Sequence, residues 1–214
     1  MRRKKKLDSV DMQTFYDVYE RLQEESDCAR VLTVAAWADD VLGVKLRSLF
    51  REGNKKARSQ LFSPMGPFSS FASKISAAYC LGWLDPDVYN DLEHLRKIRN
   101  EFAHEFGRLS LNCERMKKLV EGFQIPHRFF TDWNELRAAE YKGGFVLYKG
   151  DKPESSGEEL ALGKVRFREA VSMLILILLA NLGLEIVAAD GSSLKFTQAD
   201  RSAVPRKNGV GDGD

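Results

Sequence analysis

The chain has 214 residues, of which 43% are hydrophobic and 30% are charged, a composition typical of soluble globular proteins with a full core. Its 33 basic and 31 acidic residues give a net charge of +2, which argues against a protein built mainly to coat nucleic acid, although a local basic patch is compatible with it. The odd number of cysteines, without a CxxC pair, argues against a disulfide framework or a zinc site and favours reduced thiols in a cytoplasmic protein: Cys28, Cys80 and Cys113.

The chain divides into a central domain and two polar ends. Residues 1–8 contain five consecutive basic residues with no apolar segment after them, which predicts a disordered terminus and no secretory signal. Residues 9–189 predict a single helical domain, with an irregular excursion over 124–157 where Gly and Pro recur. The polar, Gly-rich residues 190–214 predict a disordered tail.

Apolar residues at helical spacing predict an all-α bundle of about five to six helices. The predicted helices cover residues 9–26, 28–51, 68–83, 86–107, 112–123 and 158–189. Asp85 before Pro86 is the clearest start signal, since Asp caps helices and Pro suits the first helical position. Gly and Pro predict a loop over 51–68, with a basic first half, and FVLY at 145–148 predicts a short strand or an extended segment.

Residues 170–184 form an uncharged run, AVSMLILILLANLGL. The run is shorter than the ~20 apolar residues that span a bilayer. It contains Asn181 and is flanked by Glu169 and Glu185. We therefore expect a central core helix or a dimer-interface helix, a homodimer, and no membrane partner.

The residues that most suggest chemistry are Arg99, Asn100 and His104 in LRKIRNEFAH. Asn100 and His104 are four residues apart and share a helix face, which Arg96 extends by one turn, while Arg99 projects about 100° away. Arg matches phosphate oxygens, and His exchanges protons near neutral pH. Such a set is able to cleave RNA without a metal: the 2′-hydroxyl attacks the adjacent phosphorus, His104 moves a proton and Arg99 stabilises the phosphorane.

A purely structural role explains the same residues. Asp39 and Asp40 lie in the very apolar second predicted helix, where an unpaired buried charge is costly. A bridge from Arg99 to Asp39 or Asp40 would compensate that charge and would make the protein a non-catalytic helical scaffold. The residue pattern leaves both interpretations open.

Two resemblances to known families pass through these residues. RNEFAH, residues 99–104, resembles the Arg-x(4–6)-His motif of the HEPN superfamily. Residues 28–107 resemble the mannitol operon repressor family: an apolar helix with embedded acids, then SPMGPFSSFASKISAAYCLGWLD, then a helix that ends in IRNEFAH. Together these resemblances imply a HEPN-like helical bundle. The resemblance to the mannitol operon repressor family implies a regulator of transcription that acts through protein partners, because that family lacks a recognisable DNA-binding motif. Residues 124–160 and both termini lie outside it.

The chain likewise contains no helix-turn-helix with a basic recognition helix, no zinc finger and no basic zipper, so we expect no direct sequence-specific DNA binding. The alternative to a regulator is a metal-independent endoribonuclease, such as a toxin or defence component. In that case Lys55, Lys56 and Arg58, together with Arg96, would contact the RNA backbone. Neither a cofactor nor a metal is expected.

Overall fold

The computed structural model describes residues 9–11, 25–50, 54–105, 109–141, 144–183, 185–187 and 193–194. The helices within them are α1 (Asp27–Ser48), α2 (Lys55–Leu61), α3 (Phe71–Cys80), α4 (Pro86–His104), α5 (Glu114–Glu121), α6 (Pro126–Phe129) and α7 (Leu162–Asn181), with a 3₁₀ turn at Trp133–Glu135. The strands are β1 (Ser9–Asp11), β2 (Arg137–Tyr141), β3 (Gly144–Tyr148), β4 (Glu185–Val187) and β5 (Ser193–Leu194). The predicted all-α class is confirmed, and two small sheets are added to the bundle.

One hydrophobic core joins the long helices. α1 packs along α4, α3 packs against both, and α7 closes the core against α4, α5 and α1. α4 begins where the sequence predicts it, because the Asp85 carboxylate accepts a hydrogen bond from the Val88 N–H (3.0 Å) ahead of Pro86. Five apolar residues at spacings of three and four are fully buried along α4: Val88, Leu92, Leu95, Ile98 and Phe102.

The uncharged run near the C-terminus lies, over residues 170–181, in α7, which is a central core helix. Val171, Leu174 and Leu178 of α7 are fully buried in the main core. In the described part of the chain, no helix is both long enough and apolar enough to cross a membrane. α7 is 20 residues long, and Gly183, at φ 63°, takes the left-handed conformation that closes many helices.

The two sheets lie where helix or irregular structure is predicted. Residues 9–11, predicted as helix, form β1, which pairs in parallel with β4 in the 158–189 segment; residues 12–24 of that predicted helix lie outside the described residues. The predicted excursion 124–157 contains α6, the 3₁₀ turn and an antiparallel hairpin of β2 and β3. The predicted strand at 145–148 is confirmed as part of β3.

The predicted loop over 51–68 contains a helix. Asn54 accepts a hydrogen bond from the Ala57 N–H (3.0 Å) and starts α2. α2 has no buried residue, so its sequence lacks the apolar periodicity that reveals longer helices. Residues 1–8, and all of 190–214 except β5, lie outside the described residues.

Candidate functional site

The polar residues of LRKIRNEFAH lie on the last two turns of α4. Arg99 and His104 are exposed and Asn100 is half-buried. Arg99 Nη1 donates a hydrogen bond to Asn100 Oδ1 (3.0 Å). His104 occupies the last residue of α4, one turn beyond Asn100, and within the described part of the chain no hydrogen bond joins it to either residue. The helix therefore brings Arg99 and Asn100 into contact and leaves His104 beside them, open to solvent.

The surroundings of this trio carry both charges. Arg96 donates to both carboxylate oxygens of Glu93, at 2.7–3.2 Å, and these hydrogen bonds outweigh burial and raise the pKa of the Arg96 guanidinium. Arg115 of α5 forms ion pairs with Glu101 and with Glu105. The positive charge of Arg96 is thus compensated. Two carboxylates flank His104 in the chain, Glu101 before it and Glu105 after it. This is not a basic groove.

Asp39 and Asp40 do not bind Arg99 in this structure. Lys74 of α3 donates to Asp39 Oδ1 at 2.7 Å, and its own side chain is buried. Asp40 is exposed, so it needs no buried cation. Asp39 therefore has a compensating cation, as expected for an acid in an apolar helix, but that cation is Lys74 and not Arg99. The bridge on which the scaffold interpretation rested is absent from the described contacts.

Lys55, Lys56 and Arg58 lie on α2. Both lysines are exposed and Arg58 is half-buried. α2 leads into a turn whose Phe62 ring lies 4.3 Å below the Arg47 guanidinium. None of the described hydrogen bonds or ion pairs connects these three cations to Arg99, Asn100 or His104.

Sequence reasoning missed a buried carboxylate, Asp91 of α4. It is fully buried and accepts hydrogen bonds from the Gln124 N–H (2.6 Å) and the Ile125 N–H (2.8 Å). Burial outweighs these two hydrogen bonds and raises the pKa of Asp91 to about 7. The position of Asp91 in the sequence could have revealed its burial: it precedes Leu92 and lies on the helix face that also contains Val88 and Leu95.

A second carboxylate of this kind starts α1. Asp27 Oδ2 accepts from the Ser110 hydroxyl and from the Leu111 N–H, both at 2.9 Å, and Asp27 Oδ1 pairs with Arg30 (3.1 Å). Asp27 thus ties the segment after α4 to the start of α1. The N-cap of α1 is the preceding residue, Ser26, and no local pattern around Asp27 reveals its distant partners.

A cavity of about 500 Å³ lies at the start of α7 and is bordered by α5. Its lining includes Lys117, Glu121 and Arg166. Arg166 donates to Glu121 (2.8 Å) and to two backbone carbonyls, those of Asn134 and Leu136. Lys117 pairs with Glu114, another lining residue (2.8 Å), so the cations and acids of the lining pair with each other. Among the described residues no group of three or more His, Cys, Asp or Glu side chains is arranged to hold a metal.

The chain matches no protein family and no curated protein in sequence, but solved structures share its fold. One is a possible transcriptional regulator, YggD, from Shigella flexneri, with a TM-score of 0.53, 14% identity, and coverage of 78% of this chain and 95% of that one. Another is the MtlR–HPr complex from Escherichia coli, with a TM-score of 0.50, 17% identity, and coverage of 79% and 98%. At these identities the likeness shows the fold alone. It supports a mannitol repressor-like fold, as the sequence resemblance implies.

Proposed function

We propose that the chain is a cytoplasmic regulatory protein that controls gene expression by binding a protein partner. The observation that carries this proposal is the fold, because the described bundle covers nearly the whole length of a possible transcriptional regulator and of a chain in the MtlR–HPr complex. The sequence adds support, since it contains no recognisable DNA-binding motif and a regulator without one needs a partner to reach its target.

The test is to find the partner and rebuild the complex. The tagged full-length chain is cross-linked in its host cells, purified under denaturing conditions and analysed by mass spectrometry, with an unrelated tagged helical protein as control. Purified HPr from Escherichia coli is titrated into the chain in parallel. We expect a transcription or signalling protein that also binds the purified chain, with a dissociation constant of about 1 μM or tighter, as for a specific regulatory contact. Failure to rebuild any complex from purified components contradicts the proposal.

A second function, metal-independent RNA cleavage, is favoured by the contact of Arg99 with Asn100 and by the exposure of His104. In this mechanism His104 takes the proton of the 2′-hydroxyl as its oxygen bonds to phosphorus. The bond from phosphorus to the 5′-oxygen breaks, and water protonates the leaving oxygen. The products are a 2′,3′-cyclic phosphate and a 5′-hydroxyl, and Arg99 would stabilise the phosphorane.

RNA cleavage in EDTA separates this function from the regulator. We expect His104→Ala to lose at least about a hundredfold of the rate, the usual contribution of a general base. His127→Ala, at a half-buried histidine of α6, is the matched control and should retain activity. Equal rates for wild type and His104→Ala remove the enzyme hypothesis.

We also propose that the chain forms a homodimer. α7 keeps three half-buried apolar residues, Met173, Leu176 and Ile177, at helical spacing beside its fully buried face. Such a stripe is suited to packing against a second copy. Light scattering should give about twice the 24.3 kDa of one chain, and a mass of one chain would contradict the dimer.

A further inference from the structure

The segment from 41 to 84 has an unusual charge. It contains one acid, Glu52, and seven basic residues: Lys45, Arg47, Arg51, Lys55, Lys56, Arg58 and Lys74. Arg51 and Glu52 lie outside the described residues. Of the described cations, Lys74 is paired with Asp39, whereas the others of this segment form no ion pair with a described residue. A chain with a net charge of only +2 thus concentrates uncompensated positive charge at the end of α1 and on α2.

The same segment of the chain contains an apolar platform. The rings of Phe50, Phe62 and Phe68 have their centroids 5.3–6.1 Å apart, the range of favourable aromatic contacts. Arg47 covers Phe62. The platform joins the end of α1 to the turn that follows α2, and the basic helix runs directly into that turn.

Met65 is the apolar tip of the turn that follows α2. Its side chain is 96% exposed, although the backbone around it is fixed. The Gly66 N–H donates to the Ser63 carbonyl (2.8 Å), and the Phe68 N–H donates to the Leu61 carbonyl (2.9 Å). α2 is about 10 Å long, at 1.5 Å per residue, and Met65 lies in the turn that follows it. Lys55, Lys56 and Met65 are therefore close enough for one protein–protein interface of standard size to cover all three.

We infer that this surface is a docking face for a protein partner that presents acidic side chains around an apolar pocket, which Met65 fills. The docking face consists of Arg47, Lys55, Lys56, Arg58, Phe62 and Met65. The inference rests on the proposed function, because it names the partner's chemistry and the place where it binds. Charge complementarity selects an acidic partner and speeds its approach, while a fully exposed thioether held by a rigid turn is suited to an apolar pocket.

A protein fits this face better than RNA does. RNA-binding surfaces present open rings on which bases stack. Here the three rings pack against each other and Phe62 is covered by Arg47, while the exposed apolar group is a methionine. A methionine gives no flat surface for stacking, but its flexible side chain adapts well to a protein pocket.

The first experiment places a photo-cross-linking amino acid at position 65 of the full-length chain in its host cells, with position 154, an exposed residue beyond the β2–β3 hairpin, as control. Cross-linking to one protein with an acidic surface, from position 65 and not from 154, supports the inference. A cross-link from position 65 to nucleic acid, to lipid or to a second copy of the chain overturns it.

The second experiment measures binding of the purified cross-linked protein. We expect Met65→Ser to weaken it about tenfold or more, as for a central anchor residue, and Lys55→Glu with Lys56→Glu to weaken it similarly. The control, Lys97→Glu with Lys118→Glu, makes the same charge change at exposed sites on α4 and α5 and should bind as wild type does. Restored binding when acids of the partner are changed to lysine would assign the contact directly.

The two proposals fail in different ways. A partner that binds wild type and both sets of variants equally overturns the docking face and leaves the regulator intact. A chain for which no complex with any protein can be rebuilt overturns the proposed function itself, and the docking face with it.

Discussion

At the scale of single residues, Asp91 makes stability depend on pH. Its pKa is about 7 in the folded protein because it is buried, and about 3.9 in an unfolded chain. Between these values the folded state binds more protons, so the stabilisation from Asp91 is complete below about pH 4 and is lost as the pH rises through 7. The shift of about three units corresponds to roughly 4 kcal/mol at most.

Urea unfolding at pH 4.5 and at pH 7.5 checks this prediction. Wild type should lose more unfolding free energy between the two values than Asp91→Asn, whose amide does not titrate in this range. Asp40→Asn, at an exposed site on α1, is the control and should follow wild type. The same loss in wild type and Asp91→Asn would show that Asp91 stays ionised, held by the Gln124 and Ile125 N–H groups.

At the scale of elements, two helical glycines differ in how closely other atoms approach them. A Cβ at Gly163, in the first turn of α7, would lie 2.0 Å from the Leu111 carbonyl oxygen, which is backbone. The three atoms nearest to a Cβ at Gly43 of α1 would be at the flexible ends of Arg47 and Lys74, at 3.4–3.6 Å. The close approach at Gly163 docks α7 on the segment that Asp27 ties to α1, whereas Gly43 is not required by packing.

We expect opposite effects when each glycine is replaced by alanine. Gly163→Ala should lower the free energy of unfolding by about 1–3 kcal/mol, because the backbone has to move, and Gly43→Ala should raise it by about 0.5–1 kcal/mol through helix propensity. Each variant serves as the control for the other in urea unfolding. A Gly163→Ala protein as stable as wild type would mean that the start of α7 is not fixed against Leu111.

The burial of an apolar face explains which elements the sequence predicts. α1, α4 and α7 have buried apolar faces and, at α4, an explicit Asp–Pro start, so local patterns are sufficient. α2 buries nothing, and β2, with the sequence RAAEY, lacks the β-branched residues that mark strands. β1 pairs with β4, which begins at residue 185, so no local pattern reveals it. Within the candidate site, the helical placement of Arg99, Asn100 and His104 was predictable, but the pairing of Asp39 with Lys74 depends on how α3 packs.

At the scale of the whole molecule, charge is distributed unevenly. The net charge is +2, yet the segment from 41 to 84 is strongly basic, so the rest of the chain is net negative. A small net charge therefore conceals a directional field, which acts on an acidic partner over about the Debye length, ~10 Å at 0.1 M salt. Met65 belongs to the same basic segment, so the field orients the partner toward Met65.

This arrangement predicts that salt slows the association of the partner more than it speeds its dissociation. Stopped-flow measurements from 50 to 500 mM NaCl should show a steep fall in the association rate constant of wild type, since steering between exposed charges is screened. Lys55→Glu with Lys56→Glu should flatten that dependence, and Met65→Ser should keep it while raising the dissociation rate, because an apolar anchor acts after contact. Lys97→Glu with Lys118→Glu should retain the slope of wild type. Equal flattening by both double variants would trace the effect to net charge and not to the docking face.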